Sequence, residues 1–436
     1  MSRLVRFLCG ALLSMMTVVF ASPSGHAIIY INIDSPNVRK FYLALPEVSR
    51  LGPAPETVAA QLTQSLTRDL TISNLFHMME TEGLPQQGVY VTDKTVDYGT
   101  WAMAGAEFLL SVGLSVEGDA ANVEFRLFDV IQSIYIAGKR YRGPAASIRT
   151  MAHRMADEIM YQLTGERGIF QTKIAFVSAR SGNKEIYAMD VTGQGVEQLT
   201  RNGSINISPA WSPDGKSVVY TAYMRRNPDL YQTFSSTGRT ILLSSAPGLN
   251  AAADWSPDGR RLALMMGSEG ESDIFTINSD GTSPTPLVRS WSSEASPCWS
   301  PDSKEIAFVS DRAGTPQIYI VEVGSKRVRR LTFEGSYNCT PAWSPKGDKI
   351  AFAGRSEGRF HIFTIRPDGT DLRKLTRTGN NESPSWAPNG RHLAFASTQG
   401  GTYDIVVMTA DGGGPWKVAA ASNSHDTDPS WSPWLQ

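Results

Sequence analysis

One pentapeptide recurs along the C-terminal part of the chain. It reads WSPDG at Trp211–Gly215 and Trp255–Gly259, WSPDS at Trp299–Ser303, WSPKG at Trp343–Gly347 and WAPNG at Trp386–Gly390. A last copy, WSPW, stands at Trp431–Trp434. Successive tryptophans are 44, 44, 44, 43 and 45 residues apart. A fixed period of that length marks a structural repeat whose units bury their cores against one another. The pentapeptide itself is a tight turn: Pro presets φ, Asp bonds locally and Gly takes φ > 0.

Each repeat has one internal plan. An apolar strand follows the turn (217–223, 261–267, 305–311, 349–355, 392–398). After a polar loop comes a second apolar strand (229–234, 273–278, 317–322, 361–366, 404–409). A turn rich in Gly, Asp and Ser leads to a third strand ending near Leu-Thr, and a short fourth strand enters the next Trp. Four antiparallel strands at this period are the blades of a β-propeller. The segment 173–200 has the later strands of a blade but no Trp turn before it, whereas the last Trp turn has no strands after it. The strand around Pro429–Pro433 is therefore expected to complete the blade begun at Lys173. That closes the ring and leaves no open sheet edge. Six blades fill residues 171–436.

Residues 28–170 differ in kind. Residues 28–33 and 40–45 read as extended, and 55–70 as a helix with Val58, Leu62, Leu66 and Leu70 on one face. Three strands are expected at 107–116, 121–130 and 133–142. Residues 146–163 form the most clearly amphipathic helix, ended by Gly165. The fold class is thus an α+β N-terminal domain followed by an all-β six-bladed β-propeller closed by the C-terminal strand.

Residues 1–27 read as a secretory signal. Arg3 and Arg6 precede a 15-residue apolar run, Phe7–Ala21, short of the ~20 residues of a membrane span. Gly25-His26-Ala27 offers one cleavage site and Val19-Phe20-Ala21 another. Cys9 lacks a lipoprotein context. Export leaves Cys298 and Cys339, each just before a repeated Trp, as two free buried thiols or a pair.

Composition excludes several classes. With 41 Lys+Arg against 42 Asp+Glu, there is none of the basic excess of a nucleic-acid binder. Three cysteines exclude a disulfide scaffold. No G-x-S-x-G, H-E-x-x-H, C-x-x-C, Walker loop or G-x-G-x-x-G after a strand occurs, so no catalytic, metal or cofactor site is assigned. Asp280-Gly281 and Asp368-Gly369 read as hairpin turns. His153, four residues before Asp157, reads as a histidine packed beside its helix neighbour. His425, with Asp426 and Asp428, is either a cation site at the channel or a polar rim.

Propeller geometry locates the working face. The loops before the inner strands (202–208, 247–252, 290–296, 334–338, 379–382, 424–428) vary, while the turns at the other face stay constant. A fixed scaffold with varied loops is the pattern of a binding surface. Companion loops add Arg180, Arg225, Arg226, Arg312, Arg355 and Arg359, and arginine favours protein interfaces. A carbohydrate-binding propeller would show exposed aromatics here; Trp291 and Tyr337 are the strong candidates. An exported glycan-binding or hydrolase-associated propeller is the alternative reading. The segment after the signal is either an edge strand or an extended end for a partner to capture.

The chain resembles the TolB family, the periplasmic propellers of the Tol–Pal cell-envelope system. The resemblance is carried by the junction LTGERGIFQTKIAFVS (163–178), FRLFDV (125–130), MAHRMADEIMYQLTGE (151–166) and the six Trp turns. It implies a non-enzymatic periplasmic scaffold, without cofactor, metal, nucleic acid or membrane insertion. Pal lipoprotein would bind the propeller loop face and TolA the extended mature N-terminus, supporting outer-membrane integrity and invagination at division. Some colicins exploit the same face, and other outer-membrane or peptidoglycan-associated proteins are further candidate partners. Candidate Pal contacts are Ile205 with its neighbour Asn206, then Asn250, Ala252, Glu294, Ala295, Ser296, Asn338, Glu382 and His425. Candidate TolA contacts are Ile28, Ile29, Tyr30, Ile31, Asn32, Ile33 and Asp34. Competition between the N-terminal segment and Pal, as proposed for the family, would link the two domains.

Overall fold

Each Trp turn ends one inner strand and reverses the chain into the next. The computed structural model describes residue 31 and residues 39–84, 90–267, 271–418 and 424–435. The signal-segment assignment lies outside the described residues. In the turn at Trp255, the Gly259 N–H donates to the Ser256 carbonyl (2.8 Å), and Gly259 takes φ +70°. The buried Ser256 hydroxyl donates to Asp258 (2.6 Å) and accepts from the Arg261 N–H (2.9 Å). The Ser and Asp thus satisfy the backbone that the Pro-Gly corner leaves open.

Six four-stranded antiparallel sheets result. Five are continuous in sequence, with inner strands at Asn206–Trp211, Leu249–Trp255, Glu294–Trp299, Asn338–Trp343 and Asn381–Trp386. In the sixth, the C-terminal strand Asp426–Trp431 pairs antiparallel with Lys173–Ser178, followed by Glu185–Asp190 and Glu197–Gln198. The two chain fragments complete one blade, as the repeat count requires. The closing strand is tied in further where the Trp431 indole N–H donates to Thr172 Oγ1 (2.8 Å).

The six repeat tryptophans are all buried and pack between neighbouring blades. Trp211, for example, sits with Val177 and Ile186 of the closing blade and with Val218 and Tyr220 of its own. A second ring of contacts joins inner strands to each other. The Trp299 N–H donates to Asp254 (2.8 Å), Trp343 to Cys298 Sγ (3.0 Å), Trp431 to Ser385 (2.9 Å) and Trp211 to Ser430 (3.3 Å). Cys298 and Cys339 are both free thiols, and burial pushes them up, Cys298 well above its ordinary value and Cys339 to about 12.

In the N-terminal domain, strands β1 (Phe41–Ala44), β2 (Ser49–Arg50), β3 (Phe76–Met78), β4 (Phe108–Glu117), β5 (Ala120–Asp129) and β6 (Ile134–Pro144) form one sheet in the order β3-β1-β4-β5-β6, with β2 beside β4. Helices α1 (Glu56–Ile72) and α3 (Ile148–Thr164) pack together, and the short α2 (Tyr98–Met103) brings Trp101 into a second cluster with Leu109 and Phe128. Gly165 ends α3 at φ +71°, its N–H bonded to the Tyr161 carbonyl. Helix α2 and strand β3 were not expected from the sequence; both are too short to show a period.

Candidate functional site

The two ends of the propeller are used differently. The N-terminal domain sits on the end that carries the Trp turns. Glu166, just beyond α3, forms a two-pronged ion pair with Arg391, directly after one Trp turn, and a third contact with Lys346 (3.5 Å) within another. Trp434 donates its indole N–H to the Gly168 carbonyl (2.8 Å). One apolar cluster runs without a break from Leu66, Met155 and Ile159 into Ile174, Met189, Ala394 and Val407 of the propeller. Among the described residues, none of these ties reaches the opposite end, which carries the variable loops.

At the docked end lies a buried polar group. His153 Nδ1 is 2.7 Å from Asp69 Oδ2 of α1, and Nε2 is 3.6 Å from Asp190 Oδ2 of the propeller. Arg149 stands 3.4 Å from the same Asp190 oxygen. Burial pushes His153 down, but hydrogen bonding and charge from Asp190 and Asp69 outweigh it and hold the imidazole up at about 9. Burial raises Asp69 to about 6. The expected helix-neighbour pairing of His153 is therefore corrected: Asp157 instead accepts from the Phe170 and Gln171 N–H groups (3.0 and 3.2 Å) and shapes the interdomain junction. The i, i+4 spacing hid this, because Asp69 and Asp190 are remote in sequence.

At the loop end, every inner strand carries a buried polar residue at one repeat position: Asn206, Asn250, Glu294, Asn338, Asn381 and Asp426. The asparagines bond the loops and strands beside them, while Glu294 and Asp426 each keep one buried carboxylate oxygen without a hydrogen-bond partner among the described residues. Asn250 accepts from the Ala246 N–H (3.2 Å) and donates to its carbonyl (2.7 Å). Asn338 donates to Gln317 (2.9 Å) and Asn206 to Glu185 (3.0 Å). The two acids use arginine instead: Glu294 pairs with Arg312 (2.7 Å) and Asp426 with Arg180 (2.9 Å). These arginines also lie over Tyr319 and Tyr187. A buried polar group must find such partners. Among the candidate contact positions, Asn206, Asn250, Glu294 and Asn338 are buried and brace the loops.

Two residues further on, every inner strand takes a left-handed conformation: Ser208, Ala252, Ser296, Thr340, Ser383 and Asp428 all have φ between +48° and +53°. The pairing register shifts at each of these points. A bulge of this kind re-aims the strand. Ala252, Ala295, Ser296 and Glu382 remain partly exposed beside it, and His425 is exposed with its ring beside that of Tyr403 (5.9 Å). Glu382 accepts from the Tyr403 hydroxyl (2.6 Å). Asp428 accepts from Ser383 (3.1 Å) and Asp426 from Arg180, so His425 and the two aspartates do not converge. Among the described residues, no group of three or more His, Cys, Asp or Glu side chains is placed to hold a metal ion.

The outer loops carry the exposed side chains. Ile205 is 49 % exposed, Phe333 73 % and Trp291 97 %. Lys184, Arg201, Arg225, Arg226, Arg355, Arg359 and Arg377 are exposed here and outnumber the exposed acids Glu271, Asp311, Glu334 and Glu357 among the described residues. Of the N-terminal segment, only Ile31 falls among the described residues. Its N–H donates to the Leu163 carbonyl at the end of α3 (2.8 Å), and its side chain packs on the interdomain cluster. Ile28, Ile29, Tyr30, Asn32, Ile33 and Asp34 lie outside them. No helix among the described residues is long and apolar enough to cross a membrane.

The fold is a six-bladed β-propeller whose turn end carries an N-terminal α+β domain and whose other end carries the variable loops, which defines the class of two-domain β-propeller proteins. A family model described as the TolB beta propeller domain matches residues 160–435, and one described as the TolB amino-terminal domain matches residues 29–134. The chain belongs to the TolB family. The crystal structure of TolB from Acinetobacter baumannii superposes with a TM-score of 0.80 at 26 % identity, covering 91 % of this chain and 97 % of that one. Proteins named Tol-Pal system protein TolB match over shorter stretches. The one from Desulfosudis oleivorans is 40 % identical over 234 residues, 50 % of this chain and 53 % of that protein. The one from Geobacter sulfurreducens is 42 % identical over 191 residues, 44 % of each. The chain spans about half the length of the curated relatives it matches.

Proposed function

We propose that the chain is a non-enzymatic periplasmic scaffold of the Tol–Pal system, exported by residues 1–27. Its loop face binds the Pal lipoprotein, and the N-terminal segment 28–34 binds TolA. In this role it supports outer-membrane integrity and invagination at division. The observation that carries the reading is the asymmetry of the propeller. The N-terminal domain occupies the turn end through Glu166, Arg391 and the shared apolar cluster, and among the described residues these contacts do not extend to the loop end. That end presents a surplus of exposed cations and unburied apolar side chains, the ingredients of a protein interface. Ile31, the one described residue of the N-terminal segment, bonds the end of α3 at the turn end, which supports separate surfaces for the two partners.

The test is calorimetric titration of residues 28–436 with the soluble domain of Pal from the same organism, repeated with residues 28–39 deleted and with the soluble domain of TolA. Micromolar or tighter Pal binding by both forms, with TolA binding lost on deletion, is expected. The exposed cations also predict Pal affinity that falls as salt rises, because exposed charges are screened over about 10 Å at 0.1 M ionic strength. Folded protein that binds neither partner would return the loop face to a glycan-binding role.

A further inference from the structure

Nine of the ten tryptophans are buried or half-buried, and most of these have a clear job in the fold: the repeat residues pack between blades, Trp101 fills the N-terminal core and Trp434 bonds the domain junction. Trp291 has none. It is 97 % exposed at the tip of the loop entering the inner strand Glu294–Trp299. The equivalent repeat positions hold Gly203, Pro247, Gly335, Thr378 and Asn423, so the blade plan does not call for an aromatic.

The loop around Trp291 is held at each neighbouring residue. The Ser290 hydroxyl bonds the Glu294 carboxylate, which Arg312 also holds. The Ser292 N–H donates to the Ser290 hydroxyl (3.1 Å), and the Ser293 N–H to Asp311 (3.0 Å). Thus the indole is displayed on a fixed backbone, with two side-chain torsions left to order. Rigid display lowers the entropy lost on binding, and a large flat amphipathic ring on such a mount makes an efficient anchor. The next loop round the ring repeats the device with Phe333, 73 % exposed and backed by Arg330, whose guanidinium lies 4.9 Å from its ring centroid.

We infer that Trp291, supported by Phe333, is the anchor of the loop-face interface and inserts into an apolar pocket of a protein partner whose rim is acidic. The acidic rim follows from the excess of exposed cations on this face. The inference rests on the reading that this face receives Pal, and it assigns the affinity of that contact to the outer loops of two neighbouring blades rather than to the buried polar residues of the inner strands.

The test compares the wild-type chain with Trp291→Ala, Trp291→Phe and, as a control on the N-terminal domain, the exposed Ile131→Ala. Each is titrated with the soluble Pal domain and with vesicles of phosphatidylethanolamine and phosphatidylglycerol. Trp291→Ala should weaken Pal binding by about 30-fold or more, the range of an interface hot spot. Trp291→Phe should keep much of the affinity, Ile131→Ala all of it, and thermal midpoints should match. Equal Pal affinity for wild type and Trp291→Ala would overturn the anchor and leave the Pal reading standing. A wild-type chain that fails to bind Pal overturns both. Vesicle binding that depends on Trp291, without Pal binding, would make the surface a lipid-facing one and overturn the inference.

Discussion

His153 joins three parts of the chain that are far apart in sequence: α1 through Asp69, α3 on which it sits, and the propeller through Asp190. Removing one member of a buried charge group leaves the others unpaired, at a cost of about 3–5 kcal/mol. His153→Asn should therefore destabilise the protein by about that much near neutral pH. The pH dependence has a definite sign. The folded-state value of about 9 lies above the ordinary 6.5, so the stabilisation is complete below about 6.5 and is lost as pH rises through 9. Asp69, also raised, adds a smaller loss as pH rises towards 6, because its buried carboxylate is costly once ionised. Thermal melts from about pH 6 to about pH 10 should show a falling midpoint for the wild type and a flatter line for His153→Asn. Equal slopes would remove the histidine from the account. None of this was legible in the sequence, where His153 shows only a helical neighbour.

The blade is the element that the sequence displays best, because its parts are local. Turn, strand alternation and the next Trp all lie within one period, so the strands and their closure by residues 426–431 follow from pattern alone. How closely blades approach is not local. Gly193, in a turn of the closing blade at φ +80°, faces the Val418 carbonyl of the preceding blade so closely that a Cβ would fall 1.6 Å from its oxygen. Gly193→Ala must move one backbone against another. It should cost about 2 kcal/mol or more, read as a lower denaturant midpoint with unchanged slope. A neutral result would mean that the two blades separate more easily than their packing implies. At the same scale, Trp431→Ala removes a buried indole from the closing strand and leaves Thr172 without its donor. A loss of about 3–5 kcal/mol is expected by chemical denaturation.

Across the whole molecule, the N-terminal domain and propeller share one apolar core with an ionic clasp at its edge. Arg391 and Lys346 together hold Glu166 below the usual carboxylate range, Arg391 most strongly. Arg391→Ala should raise protease cleavage within the junction 165–172 while leaving the melting of the propeller unchanged, since the apolar contact remains. Cleavage at the wild-type rate would show that the apolar core alone sets the domain contact. The architecture explains why the interface candidates read from sequence divided as they did. The repeat locates the loop positions, whereas tertiary contacts decide which side chains point outward. Asn250, Glu294 and Asn338 are polar and next to a loop, which in sequence looks like surface, yet each turns inward to satisfy its own loop.

The amino-acid sequence by itself determined the six-bladed ring, its closure by the last strand and the α+β domain before it. Those features rest on turns, alternation and helical period, and each is a short-range property written within one repeat or one helix. Only the tertiary structure decided which end of the propeller the N-terminal domain covers, that His153 answers to Asp69 and Asp190, and that Trp291 stands free while the inner-strand polar residues are buried. These depend on distances between residues tens to hundreds of positions apart, and on which polar groups must find partners once water is excluded.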